Sequence, residues 1–205
     1  MMNAALCGLA YGVALGGIPF AWLLHRIATG RDLRREGSGN PGAANVERAD
    51  GKGWGAAVLA LDTGKGAAAV WLAGKTAGDA ACVPAALGAV VAHAFSPWLL
   101  GRGGKGVATA AGAYAVLAPS ATAVAAAVFA LVLTITRFVS AGSVLGAMAL
   151  PIAVLILGPA GPAAAAATAI GVLIAWRHRA NFARMRAGTE PRLSRRAPDR
   201  GGASR

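Results

Sequence analysis

The sequence predicts an all-α integral membrane protein, and three features of the chain support this fold class. Its 205 residues are 56% hydrophobic and only 14% charged, with a mean hydropathy of +0.56, whereas soluble domains carry roughly 25% charged residues. Apolar runs close to the ~20 residues that cross a bilayer recur along the chain. Most basic residues lie in the polar stretches between these runs. The high hydrophobicity excludes an intrinsically disordered chain.

Seven apolar segments are the expected membrane spans of one compact helical bundle. They cover residues 3–24, 54–73, 80–100, 107–118, 120–136, 142–158 and 160–176. The stretch 107–136 is long for one span and short for two, and we divide it at Pro119 because proline cannot donate a helical hydrogen bond. No basic residue precedes the first run, so we expect no cleavable signal. We predict a single domain over 1–193 and a disordered basic tail over 194–205.

The basic residues predict the orientation of the bundle. Eighteen of the twenty Lys and Arg lie in 25–53, 101–106, 137–141 and the tail from Arg177. With seven spans these stretches share one side, which the positive-inside rule assigns to the cytoplasm, and the N-terminus is then outside. Six spans, with 107–136 crossing once, would remove this asymmetry. The net charge of +12 therefore indicates loops that face anionic lipids, and we predict no nucleic acid partner.

Glycines recur every four residues in two of the predicted spans. They are Gly8, Gly12 and Gly16 in the first and Gly142 and Gly146 in the sixth. Such spacing lets helices approach closely in lipid, where packing drives their association. The pattern predicts helix packing and has no functional content.

The first polar loop, residues 37–45, is a candidate anion site. Its Gly and Asn residues tolerate unusual backbone dihedrals, so that successive N–H groups can form a concave nest for an anion. Ser38, Asn40 and Asn45 add side-chain donors, and Arg48 is placed to bind an oxyanion through two hydrogen bonds. A flexible turn between spans is the alternative for this loop taken alone.

The second polar loop, residues 101–106, leads into an apolar helix and is a candidate phosphate loop, since helix N-termini attract anions. Three glycines flank Lys105, namely Gly103, Gly104 and Gly106, and they suggest a close backbone approach. Leu99 and Gly106 stand where a Walker A motif requires Gly and Ser or Thr, so we do not predict a nucleotide hydrolase. Lys105 as a simple interfacial anchor is the alternative.

A few further polar residues are candidates for chemistry. His178, directly after the last span, is placed to act as a general base, with a lipid-facing anchor as the alternative. Asp62 and Lys65 share one helix face inside a span, where charges are costly and usually paired. A structural ion pair explains them at least as well as a substrate contact does. We leave His93 open between these roles and expect His25 at the membrane interface.

Several catalytic arrangements are missing from the sequence. The eight carboxylates do not cluster as metal ligands would, and we predict neither a metal nor a cofactor. No His is followed five positions later by Asp, the arrangement of many lipid acyltransferases, and no Gly-x-Ser-x-Gly nucleophile elbow occurs.

Four motifs occur together in a characteristic order. They are Gly37-Ser-Gly-Asn-Pro-Gly-Ala-Ala-Asn45, Asp62-x-x-Lys65-Gly66, His93-x-Phe95 leading to Gly103-Gly-Lys-Gly-Val-Ala-Thr109, and His178-Arg-x-Asn181 with Ala187-Gly-Thr-Glu-Pro191. Over essentially the whole chain this resembles the bacterial acyl-phosphate-dependent glycerol-3-phosphate acyltransferase family. That family has seven spans with the N-terminus outside, in agreement with the orientation inferred from the basic residues.

The resemblance implies a reaction and a location. An acyl group would pass from acyl phosphate to the 1-hydroxyl of sn-glycerol 3-phosphate, giving lysophosphatidate and inorganic phosphate, the first step of phospholipid synthesis. The protein would be a multi-pass protein of the bacterial inner membrane, among membrane lipids, with its active site facing the cytoplasm. An acyl phosphate is a mixed anhydride with a good leaving group, so the site needs only to position two phosphorylated molecules and stabilise negative charge.

The resemblance also implies site residues by position. The implied catalytic residues are Ser38, Arg48, Lys105, His178 and Asn181. The implied substrate-binding residues are Gly39, Asn40, Gly42, Asn45, Asp62, Lys65, His93, Gly103, Gly104, Gly106, Thr109, Ser140 and Ser143. The chain departs from the usual pattern of the family at Ala44, Ala92, Ala94, Gly101 and Ala180, where Thr, Gly, Asn, an aromatic residue and Glu are usual.

Two other classes of protein share some of these features. A transporter for a small phosphorylated anion would also need a basic, glycine-lined site, with Asp62 and Lys65 on its path near the membrane midplane. An inactive relative that serves as a membrane scaffold would explain the departures from the family pattern. We expect the enzyme ahead of both.

Overall fold

The computed structural model of the chain describes residues 3–159 and 161–193. Within these ranges the chain forms α-helices and short 3₁₀ turns with no strand, so the predicted all-α fold is confirmed. The helices are α1 (Ala4–Gly16), α2 (Phe20–Thr29), α3 (Ala43–Asp50), α4 (Lys52–Ala77), α5 (Cys82–Ala94), α6 (Val107–Leu117), α7 (Pro119–Thr136), α8 (Val139–Leu157), α9 (Pro162–Arg177) and α10 (Arg179–Arg186). The predicted disordered tail, 194–205, lies outside the described residues.

All seven predicted apolar segments fall on helices. Five helical segments of the described chain are long and apolar enough to cross a membrane, namely Ala4–Thr29, Lys52–Ala77, Asp79–Leu99, Pro119–Thr136 and Val139–Leu157. The other two, α6 and α9, are apolar but shorter, with 11 and 16 residues. The predicted helix break in 107–136 is present, because α6 ends at Leu117 and Pro119 begins a separate helix, and the two crossings stay a prediction.

The glycine repeats pack helices against one another, as predicted. A Cβ atom on Gly8, Gly12 or Gly16 of α1 would collide with backbone atoms of α5 or of the 3₁₀ turn that precedes it. In the same way, Gly142 and Gly146 of α8 close on Phe129 of α7. Side chains of even one methyl group would force these helix pairs apart.

Two separate groups of buried apolar residues hold the chain together. The larger fills the bundle, where the fully buried Tyr114 donates its hydroxyl proton to the carbonyl of Ala163 at 2.8 Å. The smaller consists of Ala21, Leu33, Val46 and Val58. It joins α2 and α4 to the segment between them, residues 30–51, which contains the first polar loop.

Candidate active site

The second polar loop is fixed between the ends of α5 and α9. Arg177 donates from Nε to the carbonyl of Gly104 at 3.0 Å and from Nη2 to the carbonyl of Gly103 at 2.5 Å. The N–H of Gly104 donates to the carbonyl of His93 at 3.1 Å. A Cβ atom at position 103 or 104 would collide with His93. The glycines at positions 103 and 104 therefore allow the second loop to pack closely against His93, a neighbouring part of the protein.

Lys105, which follows these glycines, belongs to a polar cluster assembled from distant parts of the chain. Its Nζ donates to Asn181 Oδ1 at 2.5 Å, and Asn181 Nδ2 donates to Glu190 Oε1 at 2.6 Å. Ser140 Oγ, at the start of α8, donates to the same Glu190 oxygen at 2.9 Å. Arg184 Nε binds the other Glu190 oxygen at 2.8 Å. Glu190 thus holds the side chains of α8 and α10 around the lysine.

His178 is oriented so that one ring nitrogen is available to a substrate. Its Nδ1 lies 2.8 Å from the carbonyl of Ile174, and since a carbonyl only accepts, Nδ1 carries the proton and Nε2 carries the lone pair. Burial, together with the positive charge of Lys105, lowers the pKa of His178 to about 4. The ring is therefore neutral at pH 7 and can accept a proton.

The charge around Lys105 is positive overall. Burial lowers the pKa of Lys105 to about 8, and the charges of Arg184, Arg48 and Arg177 act in the same direction against the opposing effect of Glu190. Burial raises the pKa of Glu190, but hydrogen bonds from Asn181, Ser140 and Arg184 together lower it by more. The pKa of Glu190 is therefore lowered overall. One charged carboxylate among several cations leaves an excess of positive charge, which suits an anionic ligand.

The first polar loop folds on itself and touches the second. The N–H of Ser38 donates to Asn45 Oδ1 at 3.0 Å, and Asn45 Nδ2 donates to the carbonyl of Glu36 at 3.0 Å. Asn45 is buried, whereas the side chain of Ser38 is exposed. The carbonyl of Pro41 lies so close to Gly104 that a Cβ atom there would approach it to 2.9 Å. The two glycine-rich loops therefore meet at one end of the bundle.

Asp62, Lys65 and His93 form a buried network next to this meeting point. Lys65 Nζ lies 2.7 Å from Asp62 Oδ1 and 2.9 Å from His93 Nδ1, and it donates to the carbonyl of Ile18 at 2.7 Å. A small cleft lined by Asp62, His93, Pro41, Gly103 and Gly104 connects the network to both loops. The ion pair that the helical spacing allowed is present, while a substrate contact of these residues stays a prediction.

The remaining predicted site residues are spread around the two loops. Gly39, with φ of +68°, Asn40 and Gly42 lie within the first loop, and Gly106 directly precedes α6 with φ of +87°. Ser143 is buried one turn beyond Ser140, and Thr109 is fully buried where α6 packs on Gly66 of α4.

The structure also shows residues to which the sequence analysis gave no role. Arg177 holds the second loop and Glu190 holds Asn181. The sequence signalled Arg177 only as a neighbour of His178, and Glu190 only as a motif member without an assigned role. The side chain of His25 is fully buried against Asp50 and Glu36, and its expected position at the membrane interface stays a prediction. A histidine surrounded by apolar residues and Arg26 in sequence offers no sign of carboxylates that approach it from 11 and 25 residues away.

The departures from the family pattern differ in their surroundings. Gly101 and Ala180 are exposed, and Gly101 has a φ of +80°. Ala92 and Ala94 are buried in the last turns of α5, and Ala44 is half-buried in α3.

Comparison with known proteins agrees with this geometry. A family model described as glycerol-3-phosphate acyltransferase matches residues 5–188. The chain belongs to the glycerol-3-phosphate acyltransferase family. A relative named glycerol-3-phosphate acyltransferase, from Synechococcus sp. (strain CC9902), is 41% identical over 195 residues, which are 94% of this chain and 97% of the relative. The resemblance inferred from the four motifs is thereby confirmed.

Solved structures from the glycerol-3-phosphate acyltransferase family have the same fold. The glycerol 3-phosphate form of PlsY (YgiH), an integral membrane glycerol 3-phosphate acyltransferase, is 33% identical with a TM-score of 0.87. Its lysophosphatidic acid form is 31% identical with a TM-score of 0.84. Each alignment covers 94% of this chain and 96% of PlsY. Together with the five apolar helices, this similarity makes the chain a membrane protein.

Proposed function

We propose that this protein transfers an acyl group from an acyl phosphate to the 1-hydroxyl of sn-glycerol 3-phosphate, giving lysophosphatidate and inorganic phosphate. One observation carries the proposal: the two glycine-rich loops meet beside a neutral His178 and a charged Lys105. These groups provide a proton acceptor and a cation at a site with excess positive charge. The two PlsY crystal forms contain glycerol 3-phosphate and lysophosphatidic acid, which are the acceptor and the product of such a reaction.

The reaction joins the hydroxyl oxygen of the acceptor to the acyl carbon. The bond between that carbon and the phosphate oxygen breaks, and the phosphate leaves with the bonding electrons. Lys105 and Arg48 stabilise the negative charge of the phosphates, and the N–H groups of the two loops orient them. Asn181, held by Glu190, keeps Lys105 in place. Because the leaving group is a phosphate, the step proceeds without a covalent enzyme intermediate.

The hydroxyl proton has two candidate acceptors in this proposal, Nε2 of His178 and a phosphate oxygen of a substrate. The pH dependence of kcat/KM distinguishes them, since it reports the pKa values of the free enzyme and free substrates. If His178 is the base, the acid limb near its pKa of about 4 disappears in His178→Gln. An unchanged profile in the variant would assign the proton to the phosphate.

In this proposal the network of Asp62, Lys65 and His93 has a structural role, because it lies next to the two loops and supports them. Asp62 and Lys65 form an ion pair, and Lys65 also contacts His93 and donates to the carbonyl of Ile18, so a transport path along these residues gains no support from the structure. Thr109, which lies against Gly66, and Ser143, one turn after Ser140, are buried and form part of the substrate pocket in this proposal.

The decisive experiment uses the purified protein reconstituted in lipid. We expect palmitoyl phosphate and glycerol 3-phosphate together to yield lysophosphatidate and phosphate in equal amounts, and palmitoyl phosphate alone to release far less phosphate. Lys105→Ala should reduce the rate about 100-fold or more, the usual cost of losing a group that stabilises developing charge. Tyr114→Phe, in the bundle core, is the matched control. Phosphate release by the wild type no faster than by Lys105→Ala would refute the enzyme assignment, and glycerol 3-phosphate uptake without acyl transfer would favour the transporter.

We further infer seven spans in the bacterial inner membrane, with the N-terminus outside and the site at the cytoplasmic face. The support is the distribution of basic residues, since seven crossings leave 25–53, 101–106, 137–141 and the segment after α9 on one side. The test is labelling with an impermeant maleimide of single cysteines at Ser38, Arg102 and Lys75, in a chain that lacks Cys7 and Cys82. Positions 38 and 102 should react only from the cytoplasmic side and position 75 only from the outside. Positions 38 and 102 on opposite sides would exclude a shared site.

A further inference from the structure

A buried histidine outside the catalytic cluster joins the two ends of the segment that carries the first loop. His25, in the last turn of α2, is fully buried. Its Nδ1 lies 2.8 Å from Asp50 Oδ2, and its Nε2 lies 3.5 Å from Glu36 Oε2. Glu36 directly precedes the first loop, and Asp50 is the last residue of α3. One imidazole ring therefore contacts the beginning and the end of the segment 36–50.

The groups that face the two ring nitrogens of His25 are oxygen atoms that can accept hydrogen bonds. The Thr29 hydroxyl donates to the carbonyl of His25 at 2.9 Å, which leaves its oxygen, 3.3 Å from Nε2, as an acceptor. The other contacts of the ring are the carboxylates of Asp50 and Glu36, and Arg31 lies 3.7 Å from Glu36 on its more exposed side. The side chain of Asp50 is only 5% exposed. Without the ring, a nearly buried carboxylate would lose its partner, which is strongly destabilising.

Glu36 is connected by hydrogen bonds to the predicted catalytic residue Ser38, and Asp50 shares the helix α3 with the predicted catalytic residue Arg48. The carbonyl of Glu36 accepts hydrogen bonds from Gly39 N–H at 2.9 Å and from Asn45 Nδ2 at 3.0 Å. Asn45 in turn accepts from the N–H of Ser38. At the other end, Asp50 lies two residues after Arg48 in the short helix α3. A displacement of Glu36 or Asp50 therefore moves Ser38 or Arg48.

We propose that His25 is a positioning residue of the acyl transfer reaction. Its ring ties Glu36 to Asp50 and so holds Ser38 and Arg48 in the geometry that binds a phosphorylated substrate. The inference rests on the proposed function for its kinetic consequence. Without this tie the first loop also populates conformations that do not bind phosphate. The apparent affinity for the substrate then falls in proportion to the fraction of protein molecules whose loop can bind it.

Kinetics separate a positioning role from a purely structural one. In His25→Phe we expect the KM of the substrate that the first loop holds to rise about tenfold, the effect of a competent fraction near one tenth. Separate titrations of glycerol 3-phosphate and palmitoyl phosphate identify that substrate. His25→Asn, whose amide keeps a donor towards Asp50, should raise the same KM about threefold, because the amide restores part of the hydrogen bonding. A purely structural role would lower the amount of active protein with KM unchanged, as we expect for Tyr114→Phe.

Hydrogen exchange provides a readout that does not depend on activity. The amides of Ser38 and Gly39 should exchange at least tenfold faster in His25→Phe, with those of α6 unchanged, because only local opening is affected. Should His25→Phe fail to fold, His25→Asn and Asp50→Asn take its place. An unchanged KM for both substrates, or unchanged exchange in 36–50, overturns the inference. If the wild-type protein shows no acyl transfer, the proposed function is refuted instead. The hydrogen exchange result then still tests whether His25 holds Glu36 and Asp50 together.

Discussion

The two halves of the candidate site are built in different ways. The first, residues 25–50, is continuous in sequence, is closed by His25 and packs in a small apolar core together with Ala21 and Val58. The second brings Lys105 together with Ser140, Asn181 and Glu190, which lie 35 to 85 residues further along the chain. One half is therefore organised locally, and the other exists only when the ends of α8 and α9 are packed next to the second loop.

This difference predicts how far a perturbation spreads. Changes within the local half should alter the first loop and leave the bundle intact, because the hydrogen bonds of Asn45 and the ion pairs of His25 both lie within residues 25–50. Changes within the distant half should loosen several helix ends together, because Glu190 accepts hydrogen bonds from both α8 and α10. The following predictions test this contrast, from the largest expected effect to the smallest.

Glu190→Ala should have the largest effect. It removes the acceptor that Asn181, Ser140 and Arg184 share, and loss of hydrogen bonds to a charged group costs about 1.5–3 kcal/mol each. We expect kcat/KM to fall about 100-fold, which corresponds to about 2.7 kcal/mol. Ser140→Ala, which removes a single donor, is the matched control and should cost about 1.5 kcal/mol, the lower end of that range, or about 13-fold. Steady-state kinetics on both variants measure this, and a Glu190→Ala enzyme within threefold of wild type would contradict the role of the cluster.

Asn45→Ala should have a smaller and strictly local effect. It removes two neutral hydrogen bonds within the first loop, each worth about 1 kcal/mol. We expect kcat/KM to fall about 30-fold, which corresponds to about 2 kcal/mol, with faster amide exchange confined to residues 36–50. Faster exchange in α8 or α10 as well would show that the two halves are not independent.

Lys105→Arg should change the pH dependence more than the rate at neutral pH. Lys105 acts as a cation, so its contribution is present below its pKa of about 8 and is lost as the pH rises through that value. A guanidinium stays charged up to about pH 12, so the alkaline limb of kcat/KM should disappear in the variant. Rates between about pH 6 and pH 10 measure this limb. A limb that stays near pH 8 in Lys105→Arg would belong to another group.

Ala180→Glu should have the smallest effect. Residue 180 is exposed on α10, next to the buried Asn181, and surface changes are usually worth less than about 0.5 kcal/mol. We expect both KM values to stay within twofold of wild type. A marked fall in the KM of glycerol 3-phosphate would show instead that the glutamate usual in the family contacts the acceptor.

Much of the fold was predictable because a membrane imposes simple rules. The all-α class, the helix break at Pro119 and the packing of Gly8, Gly12 and Gly16 all followed from hydrophobicity, proline chemistry and small-residue spacing. The motifs also indicated the family and most candidate site residues. The role of Arg177 as a support of the second loop, the hydrogen bonds of Glu190 and the burial of His25 were not predictable. Each depends on a partner that a helical period or a short motif does not reveal.

The sequence by itself determined which segments are apolar enough to be helices in lipid, which loops carry the basic residues and which motifs those loops contain. Only the tertiary structure decided that Lys105 faces Asn181, that Nε2 of His178 keeps its lone pair and that His25 closes the first loop. The physical reason is that composition and periodicity are local properties. Burial, hydrogen-bond partners and shifted pKa values depend on which distant side chains the packed helices bring within a few ångströms.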